Sequence, residues 1–197
     1  MPVSGQTLAV EPDSQTEWQE VETSEGIQVF SSNLSDGPII KVKAVAVIEA
    51  GIASVREVIE DVASHADWVP YLRQSSILEK TSVREWLLYS EFDAPWPARD
   101  RDFVYRFIIS EHADGHIEYT QTSVESPAMP EQKKYVRGLL IDGQYKLVPL
   151  TENRTQVEVL FYADPRGSLP LWIVNIVERG FPIDALQGLM RSVAEAE

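Results

Sequence analysis

The spacing of apolar positions along this chain changes from two residues to about 3.6 and back, and each change marks a different kind of element. GIQVFSS (26–32) and IIKVKAVAVIEA (39–50) are β-branched runs parted by the turn-rich NLSDGP, which predicts two adjacent antiparallel strands. In the second run Val42, Ala44, Ala46 and Ile48 share a face. In SVREVIEDVASHADW the period becomes helical: Val55, Val58, Ile59 and Val62 line one side, and Ser54 with Glu57 forms a capping-box pattern. DWVPYL reads as a short helical turn capped by Asp67 and stopped by Pro70.

From Ser76 to Phe161 the chain reads as a long antiparallel meander, broken by the proline-bearing loop ESPAMPEQKK, with a bulge or sharp bend expected near Gly138 and Gly143. Helical spacing returns in GSLPLWIVNIVERGFPIDALQGLMRSVAEAE. Here Ser168 is the predicted cap, Pro170 sits in the first turn, and Trp172, Ile176, Arg179, Ile183, Leu186 and Met190 follow one face. Gly180 and Pro182 predict a kink. The first half of this helix is apolar nearly all round, so it is covered on more than one side. Residues 1–17 are polar and aperiodic and read as a flexible leader; residues 18–197 make one domain of the α+β class.

Charge and composition narrow the function. A formal net charge of −14 argues against nucleic acid and against lasting attachment to anionic membranes, where affinity comes from Lys and Arg. The absence of cysteine excludes disulfides and thiolate chemistry and leaves the compartment open. The chain reads as cytoplasmic as written, and as periplasmic if a signal peptide has been removed.

Catalytic signatures are missing. There is no G-x-S-x-G elbow, no P-loop and no G-x-G-x-x-G. Of the three histidines, His112 and His116 flank a surface turn and His65 follows a helix, none at the spacing of a metal motif. No catalytic residue, cofactor or metal is therefore expected. In FVYRFII, alternation puts Phe103, Tyr105, Phe107 and Ile109 on one side, expected to face inward, with Arg106 on the other.

Four ordered stretches resemble one family. PWPARDRDFV is similar to the signature hairpin of the START domain, the lipid-transfer domain named after the steroidogenic acute regulatory protein. YADPRGSLPLWIVN resembles its junction between last strand and terminal helix, DVASHADWVPYL its helix-to-strand segment, and VRGLLIDGQYKLVPL its late strand. The resemblance, running from about Trp18 to the C-terminus, implies a helix-grip fold: a curved antiparallel sheet around a long C-terminal helix, with an internal tunnel for one hydrophobic molecule. It also implies that the prolines stiffen a connection beside the tunnel, that Trp96 packs over it, and that Arg99, Asp100, Arg101 and Asp102 pair to fix the start of the strand. Some relatives place an inward arginine on this strand; the matching position here is Phe107, which argues against a charged ligand anchor.

The resulting expectation is noncatalytic binding and transfer of one lipid, sterol or similar ligand, gated by the terminal helix and the loop from Ala163 to Leu169. The expected lining is Tyr89, Glu91, Phe103, Tyr105, Phe107, Trp172, Asn175, Ile176, Arg179, Leu186 and Met190. The partner is the small hydrophobic ligand, with brief membrane contact through Leu169, Leu171 and Trp172, and the chain is expected to be a monomer. The alternatives are a polyketide aromatase or cyclase on the same fold, which needs a polar, titratable cavity, and a lipid-sensing regulatory module.

Overall fold

The structure, a computed structural model, describes residues 18–32 and 40–196. The leader expected over 1–17 and the NLSDGP turn lie outside the described residues. The first three strands are β1 (Trp18–Ser24), β2 (Ile27–Ser32) and β3 (Ile40–Ile48), followed by the helices α1 (Ile52–Glu60) and α2 (His65–Trp68). The meander comprises β4 (Leu72–Ser82), β5 (Glu85–Phe92), β6 (Arg101–Glu111), β7 (Ile117–Ser123), β8 (Val136–Arg137), β9 (Leu139–Thr151) and β10 (Arg154–Asp164). The chain ends in α3 (Leu171–Ala196).

One sheet runs in the order β1-β2-β3-β10-β9-β7-β6-β5-β4, and β8 pairs in parallel with β6. All neighbours along the main path are antiparallel. Strand β3 shows why the chain folds this way: Ile40, Val42, Ala44, Ala46 and Ile48 are buried while the intervening residues are only partly covered. That alternation buries one face and leaves the other toward solvent. The expected bend in β9 is a bulge, since Leu140 and Asp142 pair with consecutive residues of β10 and Ile141 is the extra residue.

Several caps differ from expectation. The apolar face of α1 is buried through Val55, Val58 and Ile59, but Gly51 is its cap and no side chain caps it, so the Ser54–Glu57 box does not form. The Gly51 carbonyl accepts from both Ser54 and Val55, which starts the helix one turn before the predicted box. Asp67 lies inside α2 rather than capping it, and Tyr71 at φ 59 turns the chain into β4. Helix α3 begins three residues past Ser168, with the Pro170 carbonyl accepting from Ile173 and Val174.

Helix α3 extends through Gly180 and Pro182 without ending. Its distal half belongs to the main core, burying Ile183, Ala185, Leu186, Leu189 and Val193. Its proximal half lies on the sheet through Ile173 and Val174, and Val174 shares a cluster with Ile40 and Val42. The predicted single face therefore splits: Leu186 and Ile183 are core, Met190 packs against it, and Trp172, Ile176 and Arg179 are exposed. The proximal half is apolar around its circumference, so periodicity alone did not select the side that meets the sheet.

Gly188 and Gly180 make a matched test of this packing. A Cβ on Gly188 would stand 2.2 Å from the Trp68 carbonyl oxygen, whereas one on Gly180 meets nothing within 4 Å. Gly188→Ala is expected to lower stability by about 1–3 kcal/mol through overpacking. Gly180→Ala should raise it by up to about 1 kcal/mol through helix propensity. Urea melts of both variants check this; a neutral Gly188→Ala would show that α2 gives way freely.

Candidate ligand-binding site

Strand β6 divides the chemistry of the protein between its two faces. Arg101, Phe103, Tyr105 and Phe107 point into the grip, and they lie opposite Phe92, Ser90, Leu88 and Trp86 of β5. Asp102, Val104 and Arg106 point the other way, opposite Glu91, Tyr89 and Leu87. As expected, Arg106 is exposed, where it pairs with Glu85 at 3.2 Å.

Between this inner face and α3 lie two neighbouring chambers. The outer one, about 100 Å³, is walled by Ile40, Phe103, Ala163, Leu169, Ile173 and Val177, among others. The inner one, about 70 Å³, shares Phe92, Phe161 and Phe181 with it as a common wall. The Phe161 and Phe181 rings lie 5.4 Å apart, and Phe92 meets Phe103 edge-on at 5.6 Å. Phe103 occupies space that only a glycine opposite permits, because a Cβ on Gly138 would come within 2.4 Å of its ring.

The polar groups of the inner chamber are uncharged. Ser90, Tyr105, Gln121, Tyr145 and His65 contribute to its wall. The Tyr105 hydroxyl bonds Ser90 Oγ at 2.9 Å, and Ser90 Oγ bonds Ser75 Oγ at 2.9 Å. Burial pushes the Tyr105 and Tyr145 phenols up, so both stay protonated at neutral pH. Burial lowers the His65 pKa and so favours the neutral imidazole, partly opposed by the hydrogen bond between Nε2 and the Ile59 carbonyl.

Charged residues at the outer chamber are already engaged. Asp93 pairs with Arg73. Arg101, 6% exposed, donates to three backbone carbonyls: that of Arg99, that of Pro165 at 3.4 Å and that of Arg166 at 3.3 Å. Burial lowers its pKa despite the nearby Asp100. Arg101 thus ties the start of β6 to the loop that leads into α3.

Several expected lining residues lie elsewhere. Tyr89 and Glu91 are on the opposite face of the sheet, because Ser90 between them is the residue of β5 that points inward. They are buried under the β7–β8 loop in a polar cluster: Tyr89 Oη reaches Glu91 Oε1 at 3.1 Å and Asp102 Oδ2 at 3.3 Å, and Tyr135 donates to Glu91 Oε2. Phe107 lines neither chamber; it is packed between Trp86, stacked at 5.5 Å, and Tyr119 at 5.3 Å. Leu186 is core, Trp172 is 47% exposed, and Arg179 is exposed. The side chain of Asn175 lies outside the described residues. Phe103, Tyr105 and Ile176 do line the cavity. Trp96 projects into solvent at 88% exposure instead of covering the tunnel.

Sequence reasoning missed Phe92, Phe161, Ile173, Val177 and Phe181. The register with β6 assigns Phe92 its side, while the three helix residues sit where the pattern is apolar all round. A larger cleft of about 550 Å³ opens on the outer face beside Val104, Glu125, Met129 and Arg137. It is lined by charges of both signs and lies across the sheet from the grip.

The charges of the PARDRD corner act structurally, each with a partner outside the run. Arg137 holds Asp102 through two bonds of 2.9 and 2.8 Å, Arg73 holds Asp100 at 2.9 Å, and Arg99 donates to the Tyr135 carbonyl at 3.1 Å. Glu91 and Asp102 stand directly opposite each other across β5 and β6, an arrangement that like charges disfavour. Arg137 and the Tyr89 and Tyr135 hydroxyls offset it.

A curved antiparallel sheet closed on a terminal helix, with an apolar cavity in the grip, defines the helix-grip class. The sequence profile of the START domain matches residues 11–196, and the chain belongs to that family. An uncharacterised protein of Pseudomonas aeruginosa is 28% identical over 193 residues, covering 98% of this chain and 91% of the relative. The phosphatidylcholine transfer protein of Mus musculus is 25% identical, covering 81% of this chain and 75% of its own. Among solved structures, a STAR-related lipid transfer protein fragment from Xanthomonas axonopodis superposes with a TM-score of 0.78 at 27% identity, covering 90% of this chain and 98% of that one. Human STARD10 superposes at 0.82 with 19% identity, covering 90% and 73%. The Streptomyces aromatase/cyclase ZhuI shares the fold at 0.55 and 18% identity, covering 80% and 93%. No helix among the described residues is long and apolar enough to cross a membrane.

Asp102→Ala leaves the half-buried Arg137 without its carboxylate and should cost about 3–5 kcal/mol, the usual penalty for breaking a buried pair. Chemical denaturation measures it. In the folded fraction, affinity for a hydrophobic probe should be unchanged, since the pair is on the far face of the sheet.

Proposed function

We propose that this protein binds one uncharged hydrophobic molecule, a lipid or a sterol, between the sheet and α3, and carries it without altering it chemically. The observation that supports this best is the composition of the cavity wall: apolar at the mouth, with uncharged hydrogen-bonding groups further in and the mouth arginine spent on backbone carbonyls. Burying about 400 Å² of apolar ligand surface is worth roughly 10 kcal/mol gross at about 25 cal/mol per Å². Association and ordering costs reduce that to the micromolar range or tighter. The lipid-transfer names of the relatives favour a lipid carrier, and the neutral inner wall is what favours an uncharged ligand.

A neutral hydroxyl, ester or amide suits the inner groups. A phosphate does not, because a buried charge needs a partner and the inner wall offers none. Both chambers together are smaller than the roughly 300–1,000 Å³ of ordinary ligand sites, so admission requires the grip to loosen. The parts that move are the proximal half of α3 and the loop from Ala163 to Leu169, which carries left-handed backbone at Arg166 and Gly167. Native mass spectrometry of protein from its own host should reveal one neutral lipid per chain; turnover of a polyketide by an empty protein would overturn the reading.

Filling the outer chamber by Val177→Trp should weaken binding of a fluorescent sterol or diacylglycerol at least tenfold, about 1.4 kcal/mol, while the fold is retained. Unchanged affinity in a folded variant would mean that the ligand does not occupy this chamber.

The gate has its own test. Val42 and Val174 share a buried cluster, and the chain has no other cysteine, so replacing both with Cys allows α3 to be locked to β3 and released by reduction. The oxidised form should exchange lipid between vesicles much more slowly than the reduced form, with little difference in equilibrium affinity. Equal rates with the bond formed would rule out α3 as the gate.

A further inference from the structure

The tip of the β6–β7 hairpin carries a cluster that the cavity does not use. His112 and His116 close the hairpin: the His112 N–H donates to the His116 carbonyl at 3.0 Å, and the Gly115 N–H donates to the His112 carbonyl at 3.0 Å. Gly115, at φ 87, supplies the left-handed residue of this turn. Two residues further along the same two strands, Ser110 is paired with Glu118, so His112, His116 and Glu118 project from one face of the ribbon. The two imidazoles stack at 3.9 Å with an interplanar angle of 8°. Each Nε2 lies 3.4 Å from a different oxygen of the Glu118 carboxylate.

The other ring nitrogen of His116 is occupied. Its Nδ1 faces Asp114 Oδ1 at hydrogen-bond distance. His116 Nε2 is the ring nitrogen left facing the Glu118 carboxylate. A carboxylate on the far nitrogen of an imidazole is also the arrangement that orients histidine ligands in metal sites.

We propose that His112 Nε2, His116 Nε2 and the Glu118 carboxylate form a three-ligand site for one divalent first-row transition ion of the zinc class, with Asp114 as a positioning residue. Each Nε2–carboxylate separation matches the roughly 3.3–3.4 Å that metal bonds of about 2.0–2.1 Å at tetrahedral angles put between neighbouring ligand atoms. The two rings, now stacked within 8°, must fan apart for both lone pairs to meet at one ion. The ligand atoms of all three groups already lie within 4.8 Å of one another. Two imidazoles with one carboxylate favour zinc, nickel, copper or cobalt over magnesium and calcium, which take oxygen. A fourth position remains for water. Lys146 Nζ, 3.1 Å from Glu118 Oε1, competes for the carboxylate; its side chain is exposed and free to swing away when a metal takes its place.

The test uses the full chain without a histidine tag, stripped with a chelator and titrated with Zn²⁺ by calorimetry and with Co²⁺ by absorption. One ion per chain is expected, with a visible Co²⁺ spectrum of tetrahedral intensity. His112→Ala, His116→Ala and Glu118→Gln should each weaken binding at least tenfold, and Asp114→Asn about tenfold. Lys146→Ala should tighten it. Melting of each metal-free variant, unchanged from the parent, separates lost ligation from lost folding; a variant that melts early is replaced by His112→Gln or His116→Gln at the same position. No saturable binding below about 100 µM Zn²⁺, or binding that survives His112→Ala/His116→Ala, would overturn the proposal.

Discussion

The pairing of β5 with β6 is the constraint on which the rest of the molecule depends. With Ser90 opposite Phe103 and Glu91 opposite Asp102, aromatic and hydroxyl groups go into the grip and acids go to the outer face. A slip of one residue would reverse this and point Asp102 and Glu91 at α3. Register is held chemically from outside: Arg137, from the short strand parallel to β6, clasps Asp102 in a fork, and Tyr89 and Tyr135 satisfy the remaining lone pairs. A buried ion pair adds little net stability compared with a hydrophobic substitute, but it penalises every misregistered alternative.

The same strand joins the outer chamber to the loop before α3. Arg101, one residue before Asp102, has its guanidinium on the carbonyls of the loop that precedes α3, and its stem at the wall of the outer chamber. One side chain thus serves both as chamber wall and as a clip on that loop, which is where the proposed binding and the proposed opening would meet. The inner chamber is separated from the outer by a wall of three phenylalanines, and its hydrogen-bonding side chains are neutral.

The strands were legible because their chemistry is binary. EWLLYSEF is β5 to the residue, and Val42, Ala44, Ala46 and Ile48 are buried as their alternation requires. The order of four family stretches supplied the helix grip, which periodicity could not. The lining was harder to read. In β5 the residues from Leu88 to Glu91 are all buried, two toward the cavity and two under the β7–β8 loop, so polarity gave no sign of which was which. In α3, Trp172 and Ile173 are equally apolar as letters, and only contact with the sheet decides that Ile173 goes in and Trp172 out. The partners of Asp100 and Asp102 lie 27 and 35 residues away, beyond the reach of local patterning.

Helix α3 is unevenly held along its length. Its distal half is core, and at Gly188 it presses against the Trp68 carbonyl so closely that a methyl group has no room. Its proximal half rests over the two small chambers. From Leu171 to Ile183, where α3 first enters the main core, the helix runs about 18 Å at roughly 1.5 Å per residue. In the proposed opening this stretch is a lever whose fulcrum is the start of the core-packed half. A tilt of about 10° there would lift the tip by roughly 3 Å while the anchored end moved hardly at all. The core contacts that begin at Ile183, locked by the close approach at Gly188, therefore set the length of the arm, and with it how wide a mouth a small rotation could open.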